Sequence, residues 1–361
     1  MSGRQGSRSI GVIGAGTVVG AAVAAALAGR RGEGSAEGLS LTAIGPRRTG
    51  AETASWRVVD LLDPRLATKL KGLDEVVIVH VDPNVEPAPQ TSVAPPALGA
   101  VTDAVRAAVQ NAGITRVTLV SSTTVLGARA DNDVPLPDDA PLRCRAQVGP
   151  VAEYAHLERT WTEWAQHDAT RSLAIVRAAM LVGPGIDTSL TRYFESPRVL
   201  VVDDDRPPWQ LTHVDDLASA VAHVVAGGHV GVFNAVDGTL REHDDLVRRL
   251  GLRPFRVPAA VATGTADRLH RLGVTPSPPD ELDYVRFPWV VAGDHLAEAG
   301  WTPVRSADEV IDELAATISA RTAIAGRRVT RPDAASLGAA GAAAAVLGAA
   351  ALVRARRRRG L

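Results

Sequence analysis

The chain has 361 residues, is 46% hydrophobic and 22% charged, and carries a formal charge of −1. That composition supports one large domain or two ordinary ones and excludes disorder, while the single cysteine, Cys144, excludes a disulfide scaffold and a cysteine-rich zinc site. Eight arginines after Gly326 face only Asp333, so the preceding body is acidic, which argues against a nucleic-acid partner.

Residues 1–8 are polar, and the first apolar run is too short and glycine-rich for a secretory signal, so a cytoplasmic body is expected. Short β-branched runs predict strands over Ser9–Ile13, Leu39–Ile44, Arg57–Val59, Glu75–Val79, Arg116–Ser121 and Ser172–Val176. Between them, longer stretches predict helices at Val19–Gly29, Pro64–Lys71, Ala97–Ala112 and Val151–His167. Apolar strands alternating with helices indicate an α/β fold, a doubly wound parallel Rossmann-type sheet covered on both faces. After Gly183-Pro184 the rhythm becomes short and proline-punctuated, which predicts a smaller α/β lobe whose last helix runs over Ser306–Ala320. The expected division is therefore a dinucleotide-binding domain over 9–182, a substrate lobe over 183–322, a linker over 323–333, an apolar helix over 334–353 and a basic tail over 354–361.

The first strand joins the first helix through Ile13-Gly14-Ala15-Gly16-Thr17-Val18-Val19-Gly20. A tight turn needs Gly14, a close approach of backbone to pyrophosphate needs Gly16, and close helix packing needs Gly20. The helix N-terminus adds free N–H groups and a positive dipole. The second strand ends in Ala43-Ile44-Gly45-Pro46-Arg47-Arg48, with glycine where NAD sites place an acidic residue for the ribose 2′-hydroxyl. Arg47 and Arg48 suit a 2′-phosphate, so NADP is expected ahead of NAD.

Further segments carry a resemblance. Asp60-Leu61-Leu62-Asp63 follows the third strand, and Glu75-Val76-Val77-Ile78-Val79-His80 forms the fourth. Arg116 to Ser122 leads into Thr123-Thr124-Val125-Leu126-Gly127, and Val176-Arg177-Ala178-Ala179-Met180-Leu181-Val182-Gly183-Pro184 follows later. Thr212-His213-Val214-Asp215-Asp216, Val232-Phe233-Asn234 and Ala299-Gly300-Trp301-Thr302-Pro303 complete the series. In this order the chain resembles the extended short-chain dehydrogenase/reductases, the NAD-dependent epimerase/dehydratase family. The resemblance implies cofactor contacts at Gly14, Gly16, Thr17, Val18, Gly20, Arg47, Arg48, Asp60, Leu61, Val79 and Tyr154. It implies Ser122 as the substrate-facing catalytic serine, and a nucleotide sugar or other hydroxyl/carbonyl substrate between the lobes. Helices Ala97–Ala112 and Val151–His167 commonly build homodimers in that family.

Two departures stand out. The family's middle glycine falls on Thr17. Its proton relay is a Tyr-x-x-x-Lys pair, whereas this chain has no lysine beyond Lys71. Anchoring on Glu158 puts Pro150 at the tyrosine and Tyr154 at the lysine; anchoring on Tyr154 puts Glu158 at the lysine, where a carboxylate raises the phenol pKa. Both alignments disable the relay. A catalytically silent, membrane-tethered sensor or scaffold is therefore carried as the alternative to a divergent oxidoreductase.

His156 shares a helix with Tyr154 and is weighed as a substitute base, with a solvated surface residue as the plainer reading. His213 with Asp215 and Asp216 is read as a helix-capping stretch, the cap supplied by Asp, and no metal site is expected. Trp161 and Trp164 read as packing residues. The stretch Ala334–Val353 has no charge and is long enough for a membrane span, while its alanine content also suits a helix lying on an anionic leaflet.

Overall fold

The computed structural model describes residues 8–29, 39–48, 54–82, 84, 97–196, 198–203, 205–264, 279–320, 322–324 and 327–329. The stretch Ala334–Val353 and the basic tail lie outside them. Among the described residues no helix is long and apolar enough to cross a membrane.

Seven parallel strands form the main sheet: β1 (Ser9–Ile13), β2 (Ser40–Gly45), β3 (Ser55–Val58), β4 (Glu75–Ile78), β5 (Arg116–Ser122), β6 (Ser172–Ala178) and β10 (Gly231–Ala235). Their order is β10-β6-β5-β4-β1-β2-β3. The order reverses between β1 and β4, which makes a crevice at the carboxyl ends of those two strands. The strands are apolar on both sides because both faces are covered. Helices α1 (Val18–Gly29) and α6 (Val214–Gly227) cover one face around Val12, Val77 and Val176. Helices α2 (Leu66–Leu70), α3 (Ala100–Ala112) and α4 (Gly149–Gln166) cover the other around Ile13, Ile78 and Leu119. Small residues in α1 and α6, among them Gly20, Ala24, Ala218 and Ala222, let those two helices pack closely. Gly113, at φ 72°, stops α3 and returns its N–H to the carbonyls of Val109 and Gln110.

The smaller lobe has its own core, built on Phe194 of helix α5 (Ser189–Glu195) together with Trp209, Trp289 and Leu314. Its strand pairings are short: β7 (Met180–Val182) with β9 (Leu211–His213), and β8 (Val199–Val202) with β11 (Pro254–Val257). The expected boundary at residue 183 is crossed. β10 lies well beyond it, yet pairs with β6 in the main sheet, so the chain leaves for the small lobe and returns. Part of the expected linker also forms structure, as Thr322–Ile324 pairs antiparallel with Arg327–Val329.

Candidate functional site

The glycine turn sits at the crevice between β1 and β4. Gly14 has φ +89°, and a Cβ there would lie 2.4 Å from the Val79 carbonyl oxygen and 2.9 Å from the His80 Cα. A Cβ on Gly20 would lie 2.1 Å from the Gly14 carbonyl oxygen. Both contacts are with backbone, which leaves no room for a larger residue. Thr17 Oγ1 accepts the Gly20 N–H at 3.0 Å and donates to the Gly14 carbonyl at 3.0 Å. Thr17 is thus the N-cap of α1, which is why a threonine stands where the family has glycine. Gly16 is exposed at the tip of the turn and Val18 is half-buried behind it.

The surrounding strand ends complete a cradle. A Cβ on Gly45 would stand 3.7 Å from the Gly16 nitrogen and 4.0 Å from the Trp56 ring, ordinary contact distances, so packing does not demand glycine there. Arg47 and Arg48 are exposed and pair with no described residue. Asp60 is exposed, with Oδ1 accepting the Leu62 N–H at 2.9 Å, and Leu61 is half-buried against the α2–α4 core. The Val79 side chain is only 2% exposed and belongs to the core under α1, so this residue meets the turn through its backbone alone. From the other lobe, Gly185 approaches Val18, and Asn84 clasps the same loop through the Gly185 carbonyl at 3.1 Å and the Asp187 N–H at 2.7 Å. A helix N-terminus with a bare glycine tip, at the strand-order reversal, fits the pyrophosphate of a dinucleotide.

The relay side is built differently. Tyr154, expected among the cofactor contacts, is 5% exposed in the core beside α3 and α4, and its hydroxyl donates to the Val81 carbonyl at 3.2 Å. Burial, reinforced by the charge of Asp82, raises its pKa well above the usual phenol range. Such a phenol stays protonated, with its hydroxyl committed to a backbone carbonyl. Glu158 is buried too, accepting from Ser121 Oγ at 2.6 Å and from Arg177 Nε and Nη2 at 2.9 and 2.7 Å. Arg177 Nη1 continues to the Asp138 carbonyl at 3.0 Å. This buried carboxylate–guanidinium pair ties α4 to β5 and β6.

Ser122 lies at the carboxyl end of β5 and caps the 3₁₀ turn Thr123–Leu126. Its Oγ accepts from the Thr124 N–H at 3.3 Å and from Thr124 Oγ1 at 3.0 Å. Both bonds use its lone pairs, so its own proton is left to donate.

His156 is not a substitute base in the cleft: its ring lies over Gly99, bonds Thr160 Oγ1 at 3.3 Å and stands 3.6 Å from Asp103 Oδ1, between α3 and α4. The cap of α6 is His213 itself, whose Nδ1 accepts the Asp215 N–H at 3.1 Å. Asp216, expected to share that role, instead accepts the Val304 and Arg305 N–H groups at 2.7 and 2.9 Å, because the chain returns there from the far end of the lobe. Trp161 and Trp164 pack edge to face in the core, 5.2 Å apart. One residue near the turn was given no role by the sequence reading, His80, two positions past β4. Its Nε2 lies 2.9 Å from Thr102 Oγ1 on α3, while its Nδ1 is buried with no partner among the described residues. Burial lowers its pKa to about 4, so the imidazole is neutral. The only signal in the sequence is a polar ring closing an apolar strand.

A sequence model described as the NAD dependent epimerase/dehydratase family matches residues 10–235, more than half of the chain. The chain belongs to that family. Similar curated proteins include the uncharacterized protein Rv0501 of Mycobacterium tuberculosis (strain ATCC 25618 / H37Rv), 26% identical over 203 residues, 55% of this chain and 54% of that protein. The chain spans about half the length of the curated relatives it matches. Among solved structures, the fold is similar to the UDP-glucose 4-epimerase of Thermus thermophilus in complex with NAD, at TM-score 0.62 and 17% identity, covering 86% of this chain and 99% of that one. It is similar as well to MoeE5 in complex with UDP-glucuronic acid and NAD, at TM-score 0.59 and 20% identity over 85% and 98% of the two chains. A dTDP-glucose 4,6-dehydratase from Bacillus anthracis, in complex with NAD, has TM-score 0.59 and 12% identity over 86% and 96%. The epimerase/dehydratase fold thus extends past the matched residues into the small lobe.

Proposed function

We propose that this epimerase/dehydratase family member binds a nicotinamide dinucleotide at its glycine turn and acts on a hydroxyl or carbonyl substrate, a nucleotide sugar in particular, between its lobes. The observation that carries the reading is the exposed Gly16 at the capped N-terminus of α1, over the β1–β4 crevice. When bound, a nicotinamide supplies hydride acceptance or donation. Gly16 and the first N–H groups of α1 hold the pyrophosphate, and the Ser122 hydroxyl orients the substrate oxygen. The similar structures that contain NAD support a nicotinamide cofactor. The preference for the 2′-phosphorylated form rests on this chain's Gly45, Arg47 and Arg48, where a small residue leaves space and two exposed arginines, without a partner among the described residues, follow in the chain.

Calorimetric titration with NADPH and NADH tests the reading. Micromolar NADPH binding, weakened about tenfold by joint replacement of Arg47 and Arg48 with alanine while NADH is unaffected, is the expected result. Binding of NADH alone would refute the 2′-phosphate preference; binding of neither would refute the cofactor site.

The burial of Tyr154 and the lack of lysine beyond Lys71 favour a second reading, a dinucleotide-binding sensor that does not turn over. In that reading the tail after residue 353 meets an anionic membrane, and co-sedimentation with anionic vesicles, compared with a chain ending at Arg331, tests it. Incubation of bound cofactor with UDP- and dTDP-sugars separates the two. Formation of an altered sugar establishes turnover, since a hydride taken up by the nicotinamide and returned leaves no net change in its absorbance.

A further inference from the structure

The loops that follow β5 face the 3₁₀ turn Pro279–Val285 across a cleft of about 310 Å³ that opens to solvent. Arg129, Arg143 and Arg145 line one wall; Asp280, Glu281 and Asp283 line the other. Both walls are anchored. A Cβ on Gly127, at φ +75°, would lie 2.7 Å from the Arg143 carbonyl oxygen, so the first wall is packed main chain against main chain. Within it, Asp131 holds Arg129 at 3.1 Å and Arg143 at 2.6 Å. From the other wall, the Tyr284 hydroxyl donates to the Thr124 carbonyl at 2.5 Å, inside the turn that Ser122 caps. The cleft therefore borders the turn of the proposed substrate serine.

Two opposite charges are left over. The Arg145 guanidinium is exposed and makes no hydrogen bond or ion pair with a described residue. The Asp283 carboxylate is half-buried and accepts no hydrogen bond from one. Burial raises its pKa against the pull of Arg145, Arg286 and Arg129, and Arg286 is itself taken by Asp205 at 3.0 Å. Opposite charges across a narrow gap ordinarily close into an ion pair, whereas these anchored walls keep Arg145 and Asp283 apart. An anion alone is drawn to Arg145 and repelled by Asp280 and Asp283; a cation alone meets the reverse. A ligand with one charge of each sign, in the same order, satisfies both walls.

We propose that the substrate is a nucleotide sugar whose sugar carries a free amino group: Asp283 accepts from the ammonium, and Arg145 donates to the diphosphate. The inference rests on the nucleotide-sugar reading above and narrows it. Asp280 adds negative charge on the ammonium side, and Arg129 and Arg143 add positive charge on the diphosphate side.

Calorimetric titration of the full chain with UDP-glucosamine, UDP-glucose and UDP tests it. UDP-glucosamine is expected to bind about tenfold tighter than UDP-glucose, because only the first carries an ammonium. Asp283→Asn keeps the shape and removes the charge. It is expected to erase that preference while leaving UDP-glucose within about twofold. Arg145→Gln is expected to weaken all three ligands by a similar factor, about fivefold. Equal binding of the two sugars by the unaltered protein, or a preference that survives Asp283→Asn, overturns the proposal and leaves the nucleotide-sugar reading standing. Binding of none of the three overturns that reading and the proposal with it. Should a variant fail to fold, the preference of the unaltered protein between the two sugars decides.

Discussion

At the glycine turn, the binding shape is made by backbone: Gly14 and Gly20 lie so close to the main chain of Val79 and of the turn itself that no side chain fits. On α4 the contacts are made by side chains, and this chain puts Tyr154 and Glu158 into the core. The contrast has a physical origin. The glycines serve packing and ligand alike, so losing them damages the fold before it damages binding. A relay tyrosine and lysine serve chemistry alone, and an apolar or ion-paired residue at such positions strengthens the contacts between α4 and the sheet. A turn whose glycines are demanded by packing is therefore harder to lose than side chains that packing does not require.

The strongest way to break this comparison is at Glu158. Replacing it with alanine leaves Arg177 buried and unpaired, with an expected loss of about 3–5 kcal/mol in urea denaturation. A loss below about 1 kcal/mol would mean that α4 is not held by this pair. Next is acid stability at the turn. The folded-state pKa of His80 lies below its unfolded value of 6.5, at about 4, so its contribution is present above 6.5 and lost as pH falls towards 4. The loss amounts to up to about 3 kcal/mol, read as the difference in urea midpoint against pH between the unaltered protein and His80→Asn. A flat difference would show that the ring is hydrated.

A pair of glycines sharpens the comparison within the turn. Gly20→Ala drives a methyl into the Gly14 carbonyl and is expected to cost about 1–3 kcal/mol and to abolish dinucleotide binding. Gly45→Ala meets only ordinary contacts and should stay within about 0.5 kcal/mol in the same denaturation assay. Modest as well is Tyr154→Phe, which removes one hydroxyl from the Val81 carbonyl and costs about 1 kcal/mol. Dinucleotide binding should be unchanged, and any turnover found should survive. Loss of turnover with intact binding would return Tyr154 to the chemistry.

The strand and helix order of the main domain was legible in the sequence because it follows from local alternation of apolar runs. The glycine turn was legible for a related reason: its requirement is steric and lies within a few residues. The lack of a lysine beyond Lys71 is likewise a property of the chain alone. What the sequence could not decide was which partner each polar side chain finds. Tyr154 meets Val81, Glu158 meets Arg177, and His80 meets Thr102, pairs far apart along the chain that only the packing of α3 and α4 onto the sheet brings together. The return of β10 to β6 is of the same kind, since edge pairing depends on where the small lobe releases the chain. Local sterics and periodicity are written residue by residue. Burial, and with it the fate of each proton, belongs to the assembled fold.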